Sequence, residues 1–458
     1  MRVLIAGGNA GGATAATRLR RLRPDAEVVI FERGQYVSFA NCGLLYHIEG
    51  SIKDRNALFV ETAESLRSKH GIDVRLQSEV VGINPDAHSI TVQNTVTQTR
   101  TVERYDKLVL ATGAEPVVPT IPGVNAPEII PMWSVPNMDS VIKIISKGAR
   151  SAVILGGGYV GCIMAEVLVE RGLTVTIIEA RPQILSFLDG DIAEYGLSEL
   201  QAHGVMVRLG ETIERFSPRI PNGQTITLAS GSTLETDLVI LAAGVRPSSR
   251  IAADAGLAVG HSGGIVVNQG LRTSNPDIYA VGDTVEVTHT VSGQAVAIPL
   301  AGPAHQQARI AAANIAGLEA GWSSHYRGTQ GSSIMKLFGL SCGSTGANSN
   351  QLRQRDISFD SIIIHPLNHA GYYPNATPIH LKLLYGRDGR VLGAQAAGQE
   401  GVDKRLDVLA TAIYFGATIT DLDNLQLAYS PPFGSPRDAV NIAGSVAEAR
   451  LKSRENGL

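Results

Sequence analysis

The sequence predicts an α/β fold: two dinucleotide-binding βαβ units followed by an α+β domain of different texture. Three observations predict it. The chain has 458 residues, room for two or three domains at the usual ~150 residues each. Two segments, opening at Arg2 and at Ser151, repeat one order of apolar strand, glycine cluster, helix, second strand and acid. Beyond about Arg327 the pattern shifts to alternating strands and a late helix.

The first unit starts with the strand Arg2 to Ala6 and the cluster Gly7-Gly8-Asn9-Ala10-Gly11-Gly12. A helix to about Arg23 and a strand Glu27 to Phe31 lead to Glu32. The second runs Ser151 to Leu155, Gly156-Gly157-Gly158-Tyr159-Val160-Gly161, a helix to about Arg171, and a strand Thr174 to Ile178 ending at Glu179. A pyrophosphate sits on such a helix N-terminus, where free N–H groups and the helix dipole favour anions, and glycine lets the backbone come close. The acid accepts hydrogen bonds from ribose hydroxyls; Glu32 follows Gly12 by 20 residues and Glu179 follows Gly161 by 18, near the spacing of about 20 that the chemistry asks for. The second cluster is a full GxGxxG (Gly156, Gly158, Gly161); in the first, Asn9 replaces the middle glycine. Two such units make the fold Rossmann-like twice over.

Further landmarks follow in order. Leu108 to Ala114 is a buried strand entering a Thr-Gly turn, and Leu238 to Pro247 is similar to it. Thr273 to Asp283 sets an acid just past a short apolar strand, and an Ala-rich helix spans about Gly302 to Ala316. Strands Asp360 to His365 and His380 to Leu384 and a helix near Asp403 to Phe415 mark the last domain.

Composition narrows the function. Hydrophobic residues make up 44% and charged residues 18%, which excludes a disordered chain. Lys+Arg number 39 against Asp+Glu 42, so nucleic acid is not an expected partner. Three cysteines, Cys42, Cys162 and Cys342, form no CxxC pair and suit a reducing cytoplasm. No run is long and apolar enough to span a bilayer, and no signal peptide opens the chain. No metal site is expected.

Taken together, these landmarks resemble the two-dinucleotide flavoprotein disulfide reductases over essentially the whole chain. The resemblance implies two Rossmann-like dinucleotide-binding domains, for FAD and NAD(P)H, plus a C-terminal α+β dimerisation domain. The implied boundaries are 1–112 with 245–326 for FAD, 113–244 for NAD(P)H, and 327–458 for dimerisation in a homodimer. Most such enzymes carry a CxxxxC pair. This chain has only Cys42, in Val37-Ser-Phe-Ala-Asn-Cys-Gly-Leu-Leu-Tyr46, and so resembles the single-cysteine branch of coenzyme A disulfide reductases, NADH oxidases and NADH peroxidases. Oxidases and peroxidases carry a histidine where Ala10 stands and a serine before the cysteine where Asn41 stands. The segment Ala428 to Asn441 is similar to the motif whose tyrosine, here Tyr429, reaches across the dimer. His369-Ala-Gly-Tyr-Tyr-Pro374 offers Tyr372 and Tyr373 as its companion, with Tyr373 favoured. The resemblance is therefore nearest the coenzyme A disulfide reductases. Cys162 and Cys342 read as structural.

The resemblance implies FAD contacts from Gly7, Gly8, Ala10, Gly11, Gly12, Glu32, Arg33, Asn41, Val80, Ala111, Thr112, Gly113, Asp283, Pro299 and Ala301. It implies NAD(P)H contacts from Gly156, Gly158, Tyr159, Val160, Gly161, Glu179 and Gly244, with Tyr159 shielding the flavin face. A carboxylate at Glu179 favours NADH over NADPH, although Arg181 stands two residues on. Coenzyme A, as substrate or bound thiol, is expected at Thr14, Arg18, Arg21, Ser38, Asn41, His70, His305 and Arg437. Arginine matches phosphate geometry, and four arginines fall between Arg18 and Arg23. An electron-poor flavin and a helix N-terminus should favour the Cys42 thiolate, the nucleophilic form. The expected activity is reduction of coenzyme A disulfide, persulfide or polysulfide through a Cys42–CoA mixed disulfide. The alternatives are an NADH oxidase cycling through a cysteine sulfenic acid, and a thiol redox-sensing flavoprotein. Three departures stand out: Ile163 where relatives have Glu, Leu45 where they have Pro, and an end at Leu458 where many continue into a rhodanese domain.

Overall fold

The computed structural model describes residues 1–220, 222–317 and 325–455. Val3, Leu4 and Ile5 are fully buried, as are Val29 and Ile30 beside them. Strands apolar on both faces belong in a parallel sheet covered on both sides. The first sheet has the order Ile278–Ala280, Lys107–Leu110, Arg2–Ala6, Glu27–Phe31, Asp73–Arg75, all parallel. The second repeats it: Ile129–Pro131, Leu238–Leu241, Ser151–Leu155, Thr174–Glu179, Met206–Leu209. The outermost strand differs in origin, following the rest of its sheet in sequence in the first half and preceding it in the second.

Both halves carry an antiparallel three-stranded meander at the same point of the chain. One is Ser78–Asn84, Ser89–Asn94 and Arg100–Arg104; the other is Ile213–Pro218, Gln224–Leu228 and Thr233–Thr236. Sequence reading missed this second layer of duplication. The glycine-loop helices run Ala10–Leu22 and Tyr159–Glu170, and Arg23 and Arg171 are their C-caps.

The last domain is a five-stranded antiparallel sheet, Ser333–Leu337, Leu340–Gly346, Val391–Gly398, Ile379–Gly386 and Phe359–Ile364. Helices Val402–Phe415 and Ala439–Glu455 share its core. A buried ion pair ties it to the second nucleotide-binding half: Lys382 Nζ lies 2.9 Å from Asp189 and 2.6 Å from Asp191. Ser349 donates to Asp189 from its hydroxyl and its backbone N–H. Stripping one partner from such a pair typically costs about 3–5 kcal/mol. Among the described residues no helix is long and apolar enough to cross a membrane.

Candidate active site

Both glycine loops, Cys42 and the near edge of the last domain open onto one cleft of about 2760 Å³. Every residue expected at the two nucleotide sites lines it except Gly12 and Gly161. Those two are packing glycines: a Cβ at Gly12 would lie 1.9 Å from the Gly7 carbonyl, and one at Gly161 1.9 Å from that of Gly156. Each cluster's acid is held by its own loop. Glu32 accepts from the N–H groups of Gly8 at 2.9 Å and Gly34 at 2.8 Å. Glu179 accepts from those of Gly157 at 2.7 Å and Arg181 at 2.9 Å. The Arg181 side chain is drawn aside to Ser186 at 2.6 Å.

The residues present fit two bound dinucleotides. Gly113, Gly158 and Gly244 line the cleft with open space where a Cβ would be, the bare surface a close-approaching ligand needs. Asp283 faces the same space, and burial pushes its carboxyl up to about 6, a setting that favours an arriving hydroxyl donor. The Thr112 hydroxyl is spent on the Ser248 carbonyl at 2.7 Å, so it braces the cleft wall.

Cys42 is the N-cap of the short helix Gly43–Glu49 and is exposed, whereas Cys162 and Cys342 are buried. Burial drives both of the latter thiols far up, which keeps them protonated and inert. The helix behind Cys42 is rigid because Leu44, Leu45 and Ile48 pack into the core with Leu58. A strap sets its position: Ser38, at φ +50°, donates its N–H to the Gly8 carbonyl at 2.9 Å. Asn9 of the first loop lies 3.4 Å from the side-chain oxygen of Asn41, next to the thiol.

Tyr159 opens the second loop's helix and stacks on Phe187 at 4.8 Å. Burial raises its hydroxyl to about 12, and charge at Cys42 and Tyr46 adds to the shift. Tyr46, one helical turn past Cys42, is raised by burial, with Glu166 and Cys42 contributing. The sequence reading singled out neither Tyr46 nor Phe187; the turn spacing from Cys42 was the available signal for the first. Ile163 and Leu45 both line the cleft.

The expected substrate residues divide. Ser38, Asn41 and His305 line the cleft, and Thr14 Oγ1 joins His305 Nδ1 at 2.7 Å. Arg18 and Arg21 lie outside it on the same helix. The His70 carbonyl accepts from Arg20, and Arg437 pairs with Asp423 at 3.0 Å. Tyr372, Tyr373 and Tyr429 are exposed on the last domain and do not meet Cys42 within one chain. The Tyr372 and Tyr429 hydroxyls meet at 3.0 Å, which raises Tyr429. Buried Arg405 pins their loops, bonding Asp438 at 2.7 Å and the Asn368 carbonyl at 2.8 Å.

Residues 1–308 match the family described as pyridine nucleotide-disulphide oxidoreductase, and residues 333–439 match its dimerisation domain. A curated relative, the coenzyme A disulfide reductase of Staphylococcus epidermidis, is 33% identical over 452 residues, 98% of this chain and 100% of the relative. Among solved structures, that of reduced Bacillus anthracis CoADR-RHD superposes with a TM-score of 0.95 at 41% identity, covering 99% of this chain and 81% of that one. An NAD-dependent persulfide reductase from A. fulgidus superposes with a TM-score of 0.95 at 32% identity, covering 100% and 84%.

Proposed function

This chain belongs to the pyridine nucleotide-disulphide oxidoreductase family, and on that premise we propose that it reduces coenzyme A disulfide, or a persulfide or polysulfide of the same carrier, through Cys42 alone. The observation that carries the reading is the placement of one exposed thiol, at a helix N-cap, in a cleft shared by two nucleotide loops. His47 occupies the position a CxxxxC partner would take, so a disulfide at Cys42 has to be mixed.

Gly7 to Gly12, Glu32 and Asp283 would hold FAD and Gly156 to Gly161 a pyridine nucleotide; together they would supply, as hydride, the two electrons that a disulfide at Cys42 needs. The chain supplies the sulfur chemistry. The Cys42 thiolate attacks one sulfur of the substrate disulfide; the S–S bond breaks, one CoA thiolate leaves, and Cys42–S–S–CoA forms. Two electrons and one proton return the Cys42 thiolate and release the second CoA thiol. Tyr429 of a second copy, assembled through the dimerisation domain and bonded to Tyr372 rather than to the favoured Tyr373, donates the proton to a departing thiolate. Glu179, with Arg181 turned to Ser186, favours NADH. Ala10 supplies no acid–base group near the thiol, which disfavours the oxidase alternative.

A steady-state comparison tests the proposal: coenzyme A disulfide, polysulfide and dioxygen as acceptors, with NADH and NADPH as donors. The expected result is the highest kcat/KM with NADH and a CoA-linked sulfur acceptor. Efficient four-electron reduction of dioxygen with negligible disulfide turnover would contradict it.

A further inference from the structure

Helices Ala10–Leu22 and Ala301–Ile315 pack together through Ala15, Ala16, Leu19, Ala308, Ala311 and Ala312. Both begin at the cleft, where Ala10 and Ala301 line it, and so they run away from it in the same direction. The Thr14–His305 contact of 2.7 Å fixes their relative level. One turn further along each helix stand Arg18 and Arg309, which periodicity places on adjoining ridges. Arg309 is exposed and Arg18 partly so.

Among the described residues no acid pairs with Arg18, Arg21 or Arg309. Neither helix contains an acidic residue. Arg20 is used up on three carbonyls and Arg23 on Asp25. Arg18, Arg21 and Arg309 have no hydrogen-bond or ion-pair partner among the described residues. Guanidinium groups gathered without a counter-charge repel one another, and an anion bridging them relieves that repulsion while filling their planar donor forks.

We propose that Arg309 is a further specificity-determining residue: with Arg18 it holds a phosphate of the nucleotide that the substrate thiol carries. The ridge thereby selects thiol carriers ending in a phosphorylated nucleotide over the bare thiol arm. This rests on the reading of the substrate as a CoA-linked disulfide. Sequence analysis assigned Arg18 and Arg21 but passed over Arg309, because the argument needs the level of one helix against the other.

The test is calorimetric binding of adenosine 3′,5′-bisphosphate to the FAD-loaded protein, with saturating NAD⁺ filling the second loop. Arg309→Ala should weaken binding about tenfold, and Arg309→Lys should recover part of the loss, because it restores charge without the fork. The ionic-strength dependence of binding should flatten in the Ala variant. Bound-flavin absorbance equal to wild type confirms that each variant is folded. Equal affinity in wild type and Arg309→Ala, or no binding by wild type, overturns the proposal. Wild type that binds the bisphosphate in an Arg309-dependent way yet turns over no CoA-linked acceptor upholds the ridge and contradicts the catalytic reading instead.

Discussion

The two glycine loops are one scaffold used twice, and they part company at a few positions. Gly7 and Gly156 take φ of +101° and +110°, conformations an L side chain resists. A Cβ there would lie 2.1 Å from the Ala111 carbonyl and 2.3 Å from that of Ala242. Even the strap recurs. Ser38 N–H bonds the Gly8 carbonyl at 2.9 Å, and Leu185 N–H bonds that of Gly157 at 2.8 Å. Both strap residues are left-handed, at +50° and +49°. The first strap runs on to Cys42; the second runs on to Phe187, which stacks on Tyr159. Asn9 stands where Gly158 does, and Ala10 where Tyr159 does. Past the outermost strand the first half places Asp283 in the cleft, whereas the second places Trp133 there. The shared backbone is what any dinucleotide demands, and under the proposed function the differing side chains divide the labour into a sulfur side and a hydride side.

Removing the sulfur breaks that division most severely. Cys42→Ser should lower disulfide reduction by about a thousandfold or more, while stopped-flow reduction of the bound flavin by NADH proceeds at the wild-type rate. Substantial disulfide turnover in the variant would remove Cys42 from the mechanism.

The loops themselves come next. Gly12→Ala and Gly161→Ala both drive a methyl into backbone and should destabilise by about 1–3 kcal/mol. The first should shed flavin, seen by absorbance after gel filtration, and the second should lose NADH affinity. Gly158→Ala meets nothing within 4 Å. It should melt like wild type and bind pyridine nucleotide about tenfold more weakly, since only a ligand needs that space. A flavin loss in Gly158→Ala would invert the assignment of the two sites.

Arg18→Ala or Arg21→Ala should raise the KM for coenzyme A disulfide about tenfold and leave the KM for NADH unchanged. Equal shifts in both constants would mean the arginines serve the fold.

The smallest effect concerns pH. The Asp283 carboxyl moves from 3.8 to about 6 on folding. Between those values the folded chain binds more protons than the unfolded one, so this group's contribution to stability falls as pH rises from about 4 to 6. Flavin-free protein in urea melts should show that slope, and Asp283→Asn should flatten it. Flavin-loaded protein should not show it, because the ligand's donors hold the ionised form.

Most of the scaffold was legible because it is written in local chemistry. Glycine at the strand–helix turn and an acid about 20 residues on are spacings along one chain, and all but the two packing glycines of the expected nucleotide residues line the cleft. Cys42 was singled out by the resemblance of Val37 to Tyr46 to a single-cysteine motif, and the structure places it exposed on the same cleft. What escaped depends on neighbours distant in sequence. The paired meanders are ordinary polar-alternating strands in sheets of their own, and only their common position in the two halves gives them meaning. Phe187 shows itself through its stacking on Tyr159, and Arg309 enters the proposal through its level beside Arg18. The motif pointed to Tyr429 and left its companion open with Tyr373 favoured, whereas the contact at its hydroxyl is Tyr372; one chain holds the pair away from the thiol, and the proposed function brings it in from a second copy.

Denaturing mass spectrometry of protein isolated without added thiol puts the central claim to its most direct trial. Peptide mapping should find Cys42 carrying one coenzyme A, released stoichiometrically when NADH is added, with Cys162 and Cys342 unmodified. An added oxygen on Cys42 with no thiol adduct, or an adduct that NADH fails to release, would contradict a cycle in which this single sulfur exchanges partners with a carried thiol.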